Sequence, residues 1–193
     1  MKGVMPVEIE AKIKVEDHAA VRAKLEASGA KFVRDHFETN VIFDTEDRSL
    51  LAVDKGLRVR SAKDTKTGEE VCTVTYKGPR KHGAMKSREE SEMTVESFTA
   101  AIHLLEQLSF IQVLSFEKRR QSWELGGCKV ELDELPHLGC FVEIEGANEK
   151  AIQKVQETLG LSKNPIVKTA YVGLMMTYLQ DRGESNRAVR FGA

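Results

Sequence analysis

Long apolar runs are missing from this chain of 193 residues. No stretch approaches the roughly 18 apolar residues that span a bilayer. The opening Met1-Lys2-Gly3-Val4-Met5-Pro6 holds no apolar run of signal-peptide length. A soluble, cytoplasmic protein with no membrane partner is the expectation. Cysteine is scarce as well. Cys72, Cys128 and Cys140 are odd in number and show no CxxC spacing. That argues against a disulfide framework and against a structural zinc site. The five histidines form no HxH or HxxxH pair. Net charge is almost absent: 29 Lys plus Arg face 30 Asp plus Glu, for a balance of −1. A global field that would hold nucleic acid or a membrane surface is thereby disfavoured, whereas strong local fields of either sign are allowed.

What is abundant is charge laid down in alternation. Val7-Glu8-Ile9-Glu10-Ala11-Lys12-Ile13 has the two-residue period of a strand. Glu8, Glu10 and Lys12 share one face of it, and Val7, Ile9, Ala11 and Ile13 share the other. The two carboxylates lie roughly 6.6 Å apart along a pleat. On a partly buried face they would repel by about 2–3 kcal/mol at an effective dielectric near 20. A cation relieves that repulsion.

Later segments repeat the pattern. A helix is expected over 18–28, with Asp17 as cap and Gly29 as stop. Strands are expected at 37–44, 56–61, 70–77, 87–95, 113–125, 128–135 and 140–146, with a short helix near 47–51. Gly126-Gly127 marks a hairpin. Further helices are expected over 98–108, from Asn148 to Leu159, and from Asn164-Pro165 to about Leu179, the last with Tyr171, Leu174, Met175 and Tyr178 as its apolar face. Residues 78–86 read as a basic, mobile loop and 181–193 as a disordered tail. A single domain over 1–180 is expected.

The charged faces form one set: Glu8, Glu10 and Lys12; Arg58 and Arg60; Lys77; Arg88, Glu90 and Glu92; Lys118 and Arg120; Glu131 and Asp133; Glu143 and Glu145. Most of these strands carry aliphatics on the opposite face, and the amphipathic helices need an apolar partner. Helices should therefore cover the outside of the sheet, and the charges should point away from them. A sheet of about eight strands can close on itself. The expected fold is α+β, an eight-stranded antiparallel closed barrel with a charged interior and amphipathic helices packed outside. An open sheet with one solvated face is the competing arrangement. Fixed cations suit a polyanion, and arginine suits phosphate through its bidentate fork. Fixed carboxylates would repel that polyanion unless a hard divalent cation sat between them. Both signs in one site point to a metal with a polyphosphate.

The motifs resemble the CYTH superfamily, the triphosphate tunnel metalloenzymes. Glu8-Ile9-Glu10-Ala11-Lys12 is similar to its ExExK signature. The match continues in order through Leu57-Arg58-Val59-Arg60, Thr75-Tyr76-Lys77-Gly78-Pro79, Arg88-Glu89-Glu90-Ser91-Glu92, Lys118-Arg119-Arg120, Val130-Glu131-Leu132-Asp133 and Phe141-Val142-Glu143-Ile144-Glu145. The Tyr-Lys-Gly-Pro and Phe-Val-Glu-Ile-Glu stretches look most like the class IV adenylyl cyclase branch. Asn40-Val41-Ile42-Phe43-Asp44 departs from the family's Asp-x-Tyr-Phe-Asp-like stretch.

The resemblance implies a triphosphate tunnel working with Mg²⁺ or Mn²⁺. It assigns Lys12, Arg58, Arg60, Lys77, Arg88, Lys118 and Arg120 to phosphate oxygens. It assigns Glu8, Glu10, Asp133, Glu143 and Glu145 to metal, and gives Lys12 a catalytic part in activating an attacking water in triphosphatases. Glu90 and Glu92 could equally pair with tunnel arginines, and Glu131 could be a rim charge. Arg119 falls on the opposite face. His82 reads as solvated and Trp123 as a packing residue. Three functions follow: a cyclase making cyclic AMP from ATP; a hydrolase of inorganic triphosphate, thiamine triphosphate or a nucleoside triphosphate; and a non-catalytic polyphosphate-binding module. No nucleic-acid partner is expected.

Overall fold

The computed structural model describes residues 7–80, 86–185 and 187–192, with the side chains of Val7, Glu8, Lys86 and Ser87 outside that set. The elements run β1 (Val7–Val15), α1 (Ala19–Ala27), β2 (Lys31–Asp44), a 3-10 turn (Leu51–Val53), β3 (Gly56–Asp64), β4 (Glu70–Lys77), β5 (Lys86–Val95), α2 (Phe98–Gln107), β6 (Ile111–Leu125), β7 (Cys128–Leu135), β8 (Gly139–Gly146), α3 (Glu149–Thr158), α4 (Tyr171–Asp181) and β9 (Ala188–Val189). Eight strands pair antiparallel in the order β2-β3-β4-β5-β1-β8-β7-β6, and β6 pairs with β2 in turn, so the sheet curls into a ring. The closing ladder runs from Lys31↔Glu124 to Asp44↔Ile111. Among the described residues, no helix is long and apolar enough to cross a membrane.

Alternation decides what lies inside the ring. On β1, Ala11 and Ile13 point outward into a core with Val21 and Leu25 of α1, Ile152 and Val155 of α3, and Trp123, Val130, Val142 and Ile144 of the neighbouring strands. Burying side chains of this size stabilises by about 1.5–3 kcal/mol each. Trp123 is a packing residue here, edge-on to Phe32 at 5.1 Å. α2 covers β2 to β4 through Ala101, Ile102 and Leu105 on Val41, Phe43 and Val59. Asn148 and Ser97 cap α3 and α2, each accepting a backbone N–H three residues on. Gly126 and Gly127, both at positive φ, make the two-residue β6–β7 turn.

Three expectations need correction. The last helix starts at Tyr171, not at Pro165. Ile166 instead bridges Ile13, and the Val167 N–H donates to the Lys12 carbonyl at 2.7 Å. An extended segment satisfies β1 there, where a helical one would turn its N–H groups inward along its own axis. Nor does α4 pack outside. Tyr171, Met175 and Leu179 meet Leu114, Phe116, Leu135 and Phe141. Those four share strand faces with Lys118, Asp133 and Glu143, so α4 closes one end of the ring. The inner positions at that end are apolar and match the apolar stripe of α4. Finally, the tail is ordered over 187–192. β9 lies parallel to β6 at Ser115 and Phe116, Val189 is buried, and Arg190 bonds Ser115 at 2.8 Å and Glu117 at 3.4 Å.

The basic loop expected at 78–86 falls largely outside the described residues, and His82 with it. At its start Arg80 pairs with Asp54 at 2.9 Å.

Candidate active site

The inward positions of the eight strands build two charged walls. On the first, β6 faces β7 with Arg120 opposite Asp133. The Arg120 guanidinium grips Asp133 through Nε at 2.6 Å and Nη2 at 2.5 Å, and Nη2 also reaches Glu143 at 2.7 Å. Lys118 lies 3.5 Å from Asp133 and 3.2 Å from Glu38. Lys12 lies 3.5 Å from Glu143 and donates to the Thr169 carbonyl at 3.1 Å. Burial would lower the Arg120 pKa, but Asp133 and Glu131 outweigh it and raise the group well above its ordinary value.

The second wall is β3, β4 and β5. Arg58 donates to Thr75 at 3.2 Å and lies 3.5 Å from Glu92. Arg60 reaches Glu92 at 3.3 Å, and Thr75 donates to Glu92 at 2.6 Å. Lys77 pairs with Glu90. Glu90 and Glu92 thus act as partners of the tunnel cations. Arg60 also lies 3.7 Å from Glu38 and joins the two walls.

This second wall is short of acceptors. The Nε–H groups of Arg58, Arg60 and Arg88 are buried without a hydrogen-bond partner. A buried unpaired donor costs about 1–3 kcal/mol. Burial, then the nearby Arg60, pulls the Arg58 guanidinium below its ordinary value. These three arginines stand ready for an anion that brings oxygen acceptors.

Carboxylates crowd the adjoining strands. Glu10 is the cross-strand partner of Glu145, and Glu143 is that of both Lys12 and Glu131. Burial pushes the Glu145 carboxyl up; Lys129 opposes this, and Glu10 and Glu131 reinforce it. Among the described residues, no three His, Cys, Asp or Glu side chains converge as a ready cage. Hard oxygen donors from two or three carboxylates, completed by water and phosphate, nonetheless suit Mg²⁺ or Mn²⁺. Glu10, Glu143 and Glu145 are the residues that fit. Glu8 stands across from Arg88 in the ladder, its side chain outside the described set.

Asp133, which the resemblance groups with them, is engaged by side chains of the tunnel. It is 0% exposed, and its oxygens are taken by Arg120, Lys118 and the Tyr171 hydroxyl at 2.9 Å. Its carboxylate thereby holds Arg120 and Lys118 in place. Glu131 is likewise no rim charge: it is buried, accepts from Ser122 at 2.6 Å and pairs with Lys129 at 2.7 Å. Arg119 points outward to Glu134, as its parity implies.

Two participants escaped the sequence reading. Glu38, 0% exposed, is surrounded by Lys118, Arg60, Arg120 at 4.0 Å and His36 at 3.0 Å. The alternation His36, Glu38, Asn40 against Phe37, Val41, Phe43 carried that signal. Tyr171 was read as part of an apolar stripe. Asn40, in the stretch that departs from the family pattern, donates to Glu38 at 3.2 Å, and Asp44 accepts from the Leu50 and Leu51 N–H groups.

The sequence pattern of the CYTH domain matches residues 6–171. A protein of Methanocaldococcus jannaschii, described as a candidate adenylate cyclase, is 28% identical over 177 residues, covering 87% of this chain and 98% of its own. A protein of Pyrococcus horikoshii has the same fold at a TM-score of 0.77 and 24% identity, with 89% of this chain and 99% of that one matched. A Hippeastrum protein, described as a candidate adenylyl cyclase with a dominant triphosphatase activity, shares the fold at a TM-score of 0.66 and 18% identity, over 94% and 98% of the two chains.

Proposed function

Because the chain belongs to the CYTH family, whose triphosphate tunnel the ring reproduces, we propose that it is a divalent-metal-dependent enzyme converting ATP to cyclic AMP and pyrophosphate. One observation carries the triphosphate part of this reading. Three buried arginine Nε–H groups lack acceptors on one wall, while on β1 and β8 Glu10 faces Glu145 across the ladder and adds to the burial that raises the Glu145 carboxyl. A polyphosphate with a divalent cation answers both deficits at once. The M. jannaschii relative, matched over nearly its whole length, supports the cyclase assignment.

Phosphoryl and nucleotidyl transfer depend on positioning and charge neutralisation more than on covalent chemistry. Mg²⁺ or Mn²⁺, when bound, supplies charge neutralisation between carboxylates and phosphate oxygens. Arg58, Arg60 and Arg88 hold phosphate oxygens by bidentate hydrogen bonds. Lys77 and Lys118 add charge, each already braced by a carboxylate. Arg120 ties Asp133 to Glu143 and keeps the latter aimed inward. In cyclisation the ribose 3′-oxygen bonds to the α-phosphorus, the bond from that phosphorus to the bridging oxygen breaks, pyrophosphate leaves with the bond's electrons, and the hydroxyl proton passes to water.

Hydrolysis of the terminal phosphoryl group is a second reading, and α4 favours it. The end of the ring beside Lys12 is filled by Tyr171, Phe141, Leu114 and Phe116. A triphosphate entering from the opposite end leads with its terminal phosphoryl, which places that group nearest Lys12. The test is a panel of ATP, inorganic triphosphate and thiamine triphosphate with Mn²⁺, scored by product. Cyclic AMP from ATP is the expected result. Orthophosphate without cyclic AMP would select the hydrolase, and no turnover of any substrate would leave a binding module.

A further inference from the structure

Lys12 is a buried ammonium, 2% exposed, at the closed end of the ring. Charge at such a depth needs compensation, and Glu143 at 3.5 Å supplies part of it, but a carboxylate also competes with a phosphate for the ammonium. The Lys12 Nζ lies 3.9 Å from the centre of the Tyr171 ring. A ring face attracts a cation without carrying a formal charge of its own. The Lys118 Nζ lies 5.6 Å from the same ring. The Tyr171 hydroxyl donates to Asp133 Oδ2 at 2.9 Å, on the carboxylate that Arg120 grips and Lys118 approaches. Phe141 holds the ring edge-on at 5.3 Å. The chain leading into it is tied to Lys12 twice, by the Val167 N–H to the Lys12 carbonyl and by the Lys12 ammonium to the Thr169 carbonyl.

We infer that Tyr171 is a positioning residue for the transfer reaction: its ring seats the Lys12 ammonium, and its hydroxyl, through Asp133, sets Arg120 and Lys118. One side chain on α4 thus aligns three cations drawn from β1 and β6. The two halves of the residue have separable duties. This inference rests on the reading of Lys12 and Lys118 as cations that meet the phosphates and of Arg120 as the brace of Glu143.

Separability makes it testable. Tyr171→Phe keeps the ring and loses the hydroxyl. It should leave kcat within about twofold and raise KM several-fold, because Arg120 and Lys118 lose only part of their anchorage. Tyr171→Met fills the space without a ring and should lower kcat tenfold or more. Equal kinetics for the two variants would overturn the division of roles. A second readout needs no turnover. In protein carrying ¹³C-labelled lysine, the Lys12 side-chain methylene resonances, assigned with Lys12→Arg, should be shifted upfield by the ring. The shift should persist in Tyr171→Phe and vanish in Tyr171→Met. An unshifted Lys12 in the unaltered protein would overturn the inference without reference to either variant's folding. A shifted Lys12 in a protein that turns over no triphosphate would uphold the seat and refute the enzymatic reading instead.

Discussion

Replacing Glu38 with Gln tests the charged interior at its most buried point. The carboxylate is 0% exposed and faces Lys118 at 3.2 Å, Arg60 at 3.7 Å and Arg120 at 4.0 Å. At an effective dielectric of about 20, each contact corresponds to an attraction of about 4–5 kcal/mol. Most of that is offset by the cost of taking the carboxylate out of water. Removing one partner of a buried network still leaves the other charges exposed to each other, with a typical loss of about 3–5 kcal/mol. Gln retains an oxygen for His36 and Asn40, so the lower figure applies. At about 2–4 °C per kcal/mol for a chain of this size, the melting temperature at pH 7 should fall by about 6–12 °C.

Two features distinguish this from a loss of shape. Inorganic tripolyphosphate restores negative charge beside Lys118 and Arg60, so it should raise the melting temperature of Glu38→Gln by more than that of the unaltered protein. The pH dependence should change too. Burial alone would lift the Glu38 carboxyl above its ordinary 4.5, but Lys118, the His36 hydrogen bond, Arg120 and Arg60 together hold it well below. The unfolded chain therefore takes up this proton at a higher pH than the folded one. The contribution of Glu38 is complete above the unfolded value and drains away as pH falls toward the folded one. Glu38→Gln should lose less stability than the unaltered protein as pH drops from about 6 to 3. A melting change under about 2 °C at pH 7, with identical acid slopes, would refute the network.

Other outcomes follow from the same geometry. Glu143→Gln with Glu145→Gln should abolish metal-dependent turnover while the circular dichroism spectrum stays unchanged; retained turnover would remove these carboxylates from the metal assignment. Arg58→Ala should raise the KM for the triphosphate about tenfold or more, the scale of one charge-assisted hydrogen-bonded contact; an unchanged KM would place Arg58 off the substrate. Val189→Asp puts a charge among Leu114, Phe116 and Met175 and should cost about 2–4 kcal/mol in urea unfolding; an unchanged midpoint would show that β9 contributes nothing.

The ring and most of its charged lining were legible because alternation is a local signal. Arg58 and Arg60, or Glu143 and Glu145, stand two apart, and neighbours that repeat a sign on one face are visible without knowing any partner. Glu38 was missed because it is a single charge between a histidine and an asparagine, with its cations on β3 and β6. The cation partner of Asp133 was hidden for the converse reason. The spacing of Asp133 from Glu131 is that of an acidic pair, and only the register of β7 on β6 reveals Arg120 opposite it. Tyr171 and Val189 carry no local mark either. A tyrosine that begins an apolar stripe and a valine in a polar tail acquire meaning from Lys12, Asp133 and Phe116, all far away in the chain. The start of α4 was misplaced because Pro165 satisfies every local rule for a helix entry, while the bond from Val167 to Lys12 overrules it.

The place of β1 in the ring also orders events during synthesis. Among the described strands it comes first in the chain, yet it lies between β5 and β8. Its longer ladder, from Ile9↔Gly146 to Val15↔Cys140, needs residues from the far end of the barrel. While the chain is being made, the edge of Val7–Val15 that pairs with β8 stays without its ladder until β8 has left the ribosome. Ladders between sequence-distant strands also fold slowly, because loop entropy is lost before the contacts that compensate for it form. The ladder that brings Glu143 and Glu145 beside Lys12 and Glu10 therefore forms only after β8 is made, and the site comes into being only with it.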